Sequence, residues 1–147
     1  MPVENAKPVE TPMPVENAKP VEILKPVKNA VRTRIAVALL ACLTLGIAFG
    51  TLMPSGMQPP VPGGDKTHHL LGFAALTLPV VALRPGWFWP VLAFAVAYGG
   101  AIEIVQPYVG RSREMADWLA DIAGAAIGAG AGLLIAWIWA AFRRRGA

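Results

Sequence analysis

The chain has 147 residues, 55% of them hydrophobic and only 15% charged, with a mean hydropathy of +0.51. A soluble domain is about 45–50% apolar and about 25% charged, so this composition, with its apolar residues clustered, indicates a membrane protein. The formal net charge of +4 lies mostly at segment ends, which is typical of a topology signal and of contact with anionic lipid; it excludes a nucleic-acid surface. The single cysteine excludes an intramolecular disulfide and a cysteine-based metal site.

Residues 1–30 differ in composition from the rest of the chain. The decapeptide MPVENAKPVE occurs twice, starting at Met1 and Met13, and KPVKNA, starting at Lys25, is a degraded third copy. Frequent prolines block helix and sheet hydrogen bonding, and the segment has too few apolar residues to form a core. We therefore predict a disordered, Pro-rich repeat tail over residues 1–30, with docking of a protein partner as the alternative, and a four-helix transmembrane domain over residues 31–147.

Four apolar segments follow the tail and predict an all-α membrane protein with four transmembrane helices. They cover residues 35–53, 65–83, 87–106 and 117–142. The second segment reaches the roughly 20 residues needed to span the hydrocarbon only if its polar start, from Asp65 to His69, is helical. Cys42 follows an apolar run shorter than the roughly 7–15 residues of a signal peptide, so we interpret it as a small packing residue rather than as a lipoprotein cleavage site.

The basic residues are distributed unequally between the two ends of these helices. Three fall on one side of a four-helix arrangement and eight on the other. The three are Lys66, Arg111 and Arg113; the eight are Lys25, Lys28, Arg32, Arg34, Arg84, Arg143, Arg144 and Arg145. Because positive charge accumulates on the cytoplasmic side, we predict that both termini are cytoplasmic and that the loops at residues 53–64 and 107–116 face outward.

Helical spacing then places unusual polar residues on three faces at the outer membrane boundary. These faces comprise Asp65, His69 and Phe73 in the second helix, Gly99, Glu103 and Gln106 in the third, and Asp117, Asp121, Gly124, Gly128 and Gly132 in the fourth. Residues three or four apart lie on one side of a helix. Because a stripe of glycines admits a neighbouring backbone, we expect the fourth helix to pack centrally and to turn its carboxylates toward the other polar faces.

These polar residues resemble the motifs of a known family. DKTHHLLGF is similar to the D-K-x-x-H-x-x-x-aromatic opening of VanZ-like membrane proteins, and EIVQPYVGRSREMADWLADIAGAAIG resembles their E-x-x-Q, R-S and D-x-x-x-N/D-x-x-G-x-x-x-G pattern. The likeness extends from about Arg32 to Arg143, and His68 falls at a variable position. Many relatives have Asn where this chain has Asp121. The resemblance implies a multi-pass protein of the bacterial inner membrane, with a role in the cell envelope and in glycopeptide (teicoplanin) resistance.

Carried over by position, the pattern selects nine candidate site residues. The candidates for catalysis are Asp65, His69, Glu103 and Asp117, and those for ligand binding are Lys66, Gln106, Arg111, Ser112 and Asp121. Structural alternatives stay open: a helix cap for Asp65, an interfacial position for Lys66 and an interhelical hydrogen bond for His69.

A lone carboxylate in hydrocarbon costs at least a few kcal/mol, so Glu103 needs a partner. We predict either a bridge from Arg111 to Glu103 or Asp117 that fixes the loop, or a polar pocket open to the outside. Arg113 and Glu114 are expected to form a solvated pair without a functional role.

The chemistry of the cluster leaves three hypotheses for its function. We favour a pocket that binds an envelope component, such as a phosphate-bearing lipid or a peptidoglycan precursor. The alternatives are an enzyme acting on a lipid-linked phosphate by acid–base or metal-assisted chemistry, and a scaffold without catalysis. The carboxylates and His69 are ligand types suited to Mg²⁺, Mn²⁺ or Zn²⁺, but no H-E-x-x-H, D-D-x-x-D or cysteine spacing marks a metal site. We therefore assign no metal and no cofactor from the sequence.

Overall fold

The structure, a computed structural model, describes residues 20–53, 57 and 64–146, and the regular elements in these ranges are all helical. There are four α-helices: α1 (Pro20–Thr51), α2 (Asp65–Leu83), α3 (Phe88–Val105) and α4 (Met115–Arg145). Short 3-10 turns at Pro85–Trp87 and Gln106–Val109 flank α3. Each of the four contains a stretch long and apolar enough to cross a membrane. The prediction of an all-α protein with four helices of spanning length is thereby confirmed.

The first helix begins earlier than the sequence predicts. Its first residue is Pro20, so residues 20–30, assigned above to the tail, are helical. Proline at the first helical position loses no hydrogen bond, because the N–H there has no partner inside the helix in any case. The remaining part of the predicted tail, residues 1–19, lies outside the described residues, as does most of the predicted loop at residues 53–64.

Helix α2 packs against each of the other three helices, and its most extensive interface is with α4. The glycine stripe of α4 makes this contact possible. A Cβ atom at Gly124, Gly128 or Gly132 would collide with the backbone of α2. Thr77 Oγ1 of α2 also donates a hydrogen bond to the Ala125 carbonyl of α4, at 2.9 Å. The predicted close approach is therefore present, although α2 rather than α4 occupies the centre.

A small apolar core lies between the helices, and large apolar side chains cover the outside. Phe73, Leu76 and Val80 of α2 are fully buried. In contrast, Phe49 of α1 and Trp137 of α4 are 73% and 70% exposed. A helix that exposes such side chains is suited to contact with lipid hydrocarbon, which is the reason that the interior of the bundle can stay small.

The two ends of the bundle differ in charge. Arg32 of α1 and Arg143 of α4 line the same cavity of about 280 Å³, together with Leu83 at the end of α2. Arg84 lies over the Trp87 ring, 5.6 Å from its centroid. The carboxylates and histidines lie at the opposite end, where α2 and α4 begin and α3 ends.

Candidate functional site

The turn between α3 and α4 determines the geometry of the polar end. The Arg111 N–H bonds to the Gln106 carbonyl at 3.1 Å, and Gly110 adopts a φ of +76° in the left-handed region. Glycine reaches that conformation without the Cβ clash that other residues suffer. The turn directs the next residues across the first turn of α2, so that Arg111 contacts Asp65 and Glu114 contacts Lys66.

His69 and Asp121 form the innermost pair of the cluster. His69 Nδ1 and Asp121 Oδ1 are 2.9 Å apart, and both side chains are completely buried. Gly99 of α3 provides the space for this carboxylate: a Cβ there would lie 2.5 Å from Asp121 Oδ2. The three predicted helix faces therefore meet. The hydrogen bond between His69 and Asp121 joins α2 to α4, and it is the interhelical hydrogen bond that was the structural alternative for His69.

Glu103 is held by the backbone rather than by an arginine. Its Oε2 accepts a hydrogen bond from the Glu114 N–H at 2.8 Å, and Glu114 is the residue that precedes α4. A carboxylate at the N-terminus of a helix meets unpaired N–H groups and the positive end of the helix dipole. The predicted bridge from Arg111 to Glu103 or Asp117 is wrong, because the turn places Arg111 beside Asp65 instead.

Two basic residues, which make three ion pairs between them, form the outer rim of the cluster. Arg111, with a side chain only 6% exposed, pairs with Asp65. Lys66 Nζ lies 3.2 Å from Glu114 Oε2 and 3.8 Å from Asp117 Oδ1. The expectation that Glu114 pairs with Arg113 is therefore wrong, since the loop directs Glu114 toward α2. Arg113 is exposed and makes no ion pair with any residue in the described ranges.

Several buried polar atoms of the cluster lack a hydrogen-bond partner among the described residues. They are His69 Nε2, Glu103 Oε1, Gln106 Oε1, Arg111 Nη1, Asp117 Oδ1 and Asp121 Oδ2. An unsatisfied buried polar group costs about 1–3 kcal/mol, and more if it is charged. Gln106 does donate, through Nε2, to the Thr51 carbonyl at 3.3 Å, and so joins the 3-10 turn after α3 to α1. Apart from the Arg111 nitrogen, which is a donor, the remaining atoms form an interior that is rich in acceptors and can bind a proton, water or a cation.

Two overlapping groups in the cluster have the composition of a metal site. His69, Glu103 and Asp121 form one, and Asp65, His69 and Asp117 form the other. Within each group, ligand atoms from all three residues lie within 4.8 Å of one another. The sequence pattern did not reveal this set, because its members come from three helices and no local spacing connects them.

Two apolar grooves on the outside of the bundle end at the cluster. The larger, of about 760 Å³, runs along one side of α3 from Trp89 to Ile104 and is bounded by Trp118, Glu103 and Arg113 at its polar end. The smaller, of about 460 Å³, lies between α1 and α2 and includes Asp65, His68 and His69. Both grooves have apolar walls along the membrane-spanning part and charged groups at the boundary.

The structure brings together eight of the nine predicted site residues. Ser112 is the exception, because it is exposed on the loop and makes no hydrogen bond to a described residue. Sequence reasoning missed Arg113 and Trp118, which bound the larger groove. The Trp118 indole N–H bonds to the Val96 carbonyl of α3 at 3.0 Å. The position of Trp118, next to Asp117 on the helix, was the available signal.

Comparisons of the chain with protein-family models, with curated proteins and with solved structures each find no match.

Proposed function

We propose that this protein is a VanZ-like multi-pass protein of the bacterial inner membrane that binds a phosphate-bearing lipid of the cell envelope. In this proposal the polar end of the bundle faces outward and both termini are cytoplasmic, as the distribution of basic residues predicts. A role in glycopeptide susceptibility would follow from capture of an envelope lipid. The resemblance of its polar motifs to those of VanZ-like proteins supports the proposal.

The observation that carries the proposal is the larger groove, which joins an apolar channel to a charged end. Its length along α3, from Trp89 to Ile104, suits an extended hydrocarbon chain. At its polar end stands Arg113, an arginine without an acidic partner in the described part of the chain. A guanidinium is well matched to a phosphate, which it can bind through two parallel hydrogen bonds.

Because of the ion pairs at the rim, the residue expected to contact the lipid phosphate differs from those suggested by the sequence. Arg111 and Lys66 were the expected contacts of an anion, but both are paired with carboxylates. A phosphate would therefore be met first by Arg113. Glu103 lines the same groove and also belongs to the buried group with His69, so in this proposal it lies between the headgroup and His69.

Blocking the groove tests the proposal. Ala97 is exposed and lines the groove, so Ala97→Trp is expected to fill it and to weaken binding of a polyprenyl phosphate by about ten-fold or more. The matched control is Ile127→Trp, at a position that is 60% exposed on α4 and lines neither groove. Binding is measured by native mass spectrometry of the purified protein with added lipid.

A charge variant provides the second half of this experiment. Arg113→Ala is expected to reduce retention of the polyprenyl phosphate but not of the corresponding uncharged polyprenol. Arg34→Ala, at an exposed position in α1, is the control for loss of one positive charge. Equal lipid retention by wild-type protein and by both Ala97→Trp and Arg113→Ala would refute binding in this groove.

The buried His69–Asp121 pair favours an enzyme as the second candidate. A histidine whose Nδ1 contacts a carboxylate and whose Nε2 has no partner among the described residues is arranged as a general base. Glu103, which lines the groove, would then lie between this base and a lipid-linked phosphate. Turnover of such a lipid by purified protein distinguishes the enzyme from a binding protein.

A further inference from the structure

The interior of the polar cluster has a composition that lipid binding does not explain. His69, Glu103 and Asp121 are 1%, 3% and 0% exposed, and ligand atoms from all three lie within 4.8 Å of one another. His69 also belongs to the second group, with Asp65 and Asp117. One imidazole is thus surrounded by four carboxylates from the beginnings of two helices and the end of a third.

The hydrogen bonds within this cluster leave a surplus of acceptors. His69 Nδ1 lies 2.9 Å from Asp121 Oδ1, and His69 Nε2 has no hydrogen-bond partner among the described residues. Glu103 Oε1, Asp117 Oδ1 and Asp121 Oδ2 are carboxylate oxygens that likewise have no hydrogen-bond donor in this part of the chain. A water molecule has two hydrogens to donate, whereas a cation can satisfy several acceptors at once.

The charges in the cluster are also unbalanced. Glu103 and Asp121 have no lysine or arginine nitrogen of the described chain within 4.0 Å. Lys66, at 3.8 Å, is the near cation for Asp117, and Arg111 is already paired with Asp65. Buried carboxylates of this kind are stable when they are protonated, paired or bound to a metal. A divalent cation would compensate two of these charges in a single site.

We propose that His69, Glu103 and Asp121 bind one divalent transition-metal cation, with Asp117 and Asp65 on the side of the site near the membrane boundary. A mixed set of imidazole nitrogen and carboxylate oxygens suits Zn²⁺ or Mn²⁺ better than Mg²⁺, which prefers oxygen ligands and retains several waters. His69 Nδ1 lies 2.9 Å from Asp121 Oδ1, so the imidazole and this carboxylate are adjacent. The site needs no lipid, so it does not depend on the proposed function.

The test uses the full chain without a polyhistidine tag, purified in detergent, treated with EDTA and dialysed. Titration calorimetry with Zn²⁺ is expected to give one tight site per chain. His69→Gln and Glu103→Gln are each expected to lower the affinity about ten-fold or more. His68→Gln is the matched control, because His68 is the adjacent histidine and belongs to neither group. It is expected to bind Zn²⁺ with the wild-type affinity.

Three results would overturn the inference. They are an absence of stoichiometric Zn²⁺ binding by the wild-type chain, unchanged affinity in His69→Gln, and an equal loss in His68→Gln. X-ray absorption at the zinc edge provides a measurement on the wild-type chain alone. It is expected to show one imidazole among oxygen ligands, and two imidazoles or none would also refute the site. The titration contains no phosphate lipid, so failure of this inference is separate from failure of lipid binding.

Discussion

At the scale of single residues, the rim and the interior of the cluster hold their charges in different ways. At the rim, Lys66 and Glu114 are about half exposed, and water shares in stabilising them. In the interior, Asp121 is completely buried, and its one ion-pair partner in the described part of the chain is His69. Exposed ion pairs contribute little to stability, whereas a buried group that loses its partner is costly. The Arg111–Asp65 pair lies between these cases, with one side chain almost buried and the other partly exposed.

This intermediate position predicts the effect of removing Arg111. Arg111→Ala leaves the Asp65 carboxylate without its partner and removes a side chain that is only 6% exposed, so the free energy of unfolding should fall by roughly 1–3 kcal/mol. Arg113→Ala, two residues away at an exposed position, should change it by about 0.5 kcal/mol or less. Thermal unfolding of the detergent-solubilised protein, followed by circular dichroism, measures both. If Arg111→Ala were as stable as Arg113→Ala, the pair would contribute nothing to the fold.

At the scale of helices, the contact between α2 and α4 positions the site. Asp117 and Asp121 lie on the same side of α4 as the glycines that meet the α2 backbone. The close approach therefore brings both carboxylates to the face of α2 that carries Asp65 and His69. In a membrane, apolar burial supplies little drive for helix association, so close packing and interhelical hydrogen bonds have more weight.

A comparison of two glycines in α4 tests this contact. A Cβ at Gly128 would collide with the Ala74 carbonyl of α2, so Gly128→Ala should lower the free energy of unfolding by roughly 1–3 kcal/mol. Gly130 has nothing within 4 Å of its Cβ position, and Gly130→Ala should be neutral or stabilising by up to about 1 kcal/mol. The loss of helical signal on titration with a denaturing detergent measures both variants. An equal effect of the two would show that the stripe does not determine the packing.

At the scale of the whole molecule, the bundle has a basic end and a cluster of carboxylates and histidines at the other end. Arg32 and Arg143 line one cavity at the basic end, beside the end of α2. The three positive charges of the other end include two that are paired with carboxylates there. The positive-inside rule predicts one orientation for such a bundle, with the basic end on the cytoplasmic side.

Cysteine labelling tests the orientation. Cys42 is the sole cysteine of the chain, so Cys42→Ala provides a background without thiols. On that background, Ser112→Cys on the exposed loop should react with a membrane-impermeant maleimide in intact cells. Gly146→Cys, after the end of α4, should react only once the membrane is permeabilised. The reverse pattern would place the cluster on the cytoplasmic side and would refute an outward-facing site.

The residues that line the site were more predictable than their partners. The faces through His69, Glu103 and Asp121 follow from helical spacing, and all three residues are buried as that spacing predicts. The partner of Arg111 was predicted wrongly, because the course of the loop after Gly110 is not encoded in a helical period. The position of Arg113 beside the groove was missed for a related reason, since a groove exists only after two helices have packed.

The sequence by itself determined that this chain has four apolar helices of spanning length, and it determined which sides of those helices are polar. Composition and helical period are local properties, and each helix satisfies its own backbone hydrogen bonds regardless of its neighbours. Only the tertiary structure decided that Asp65 pairs with Arg111, that Asp121 contacts His69, and that several buried acceptors converge. These contacts depend on the relative height and rotation of packed helices, where a shift of one residue, about 1.5 Å, would exchange the partners.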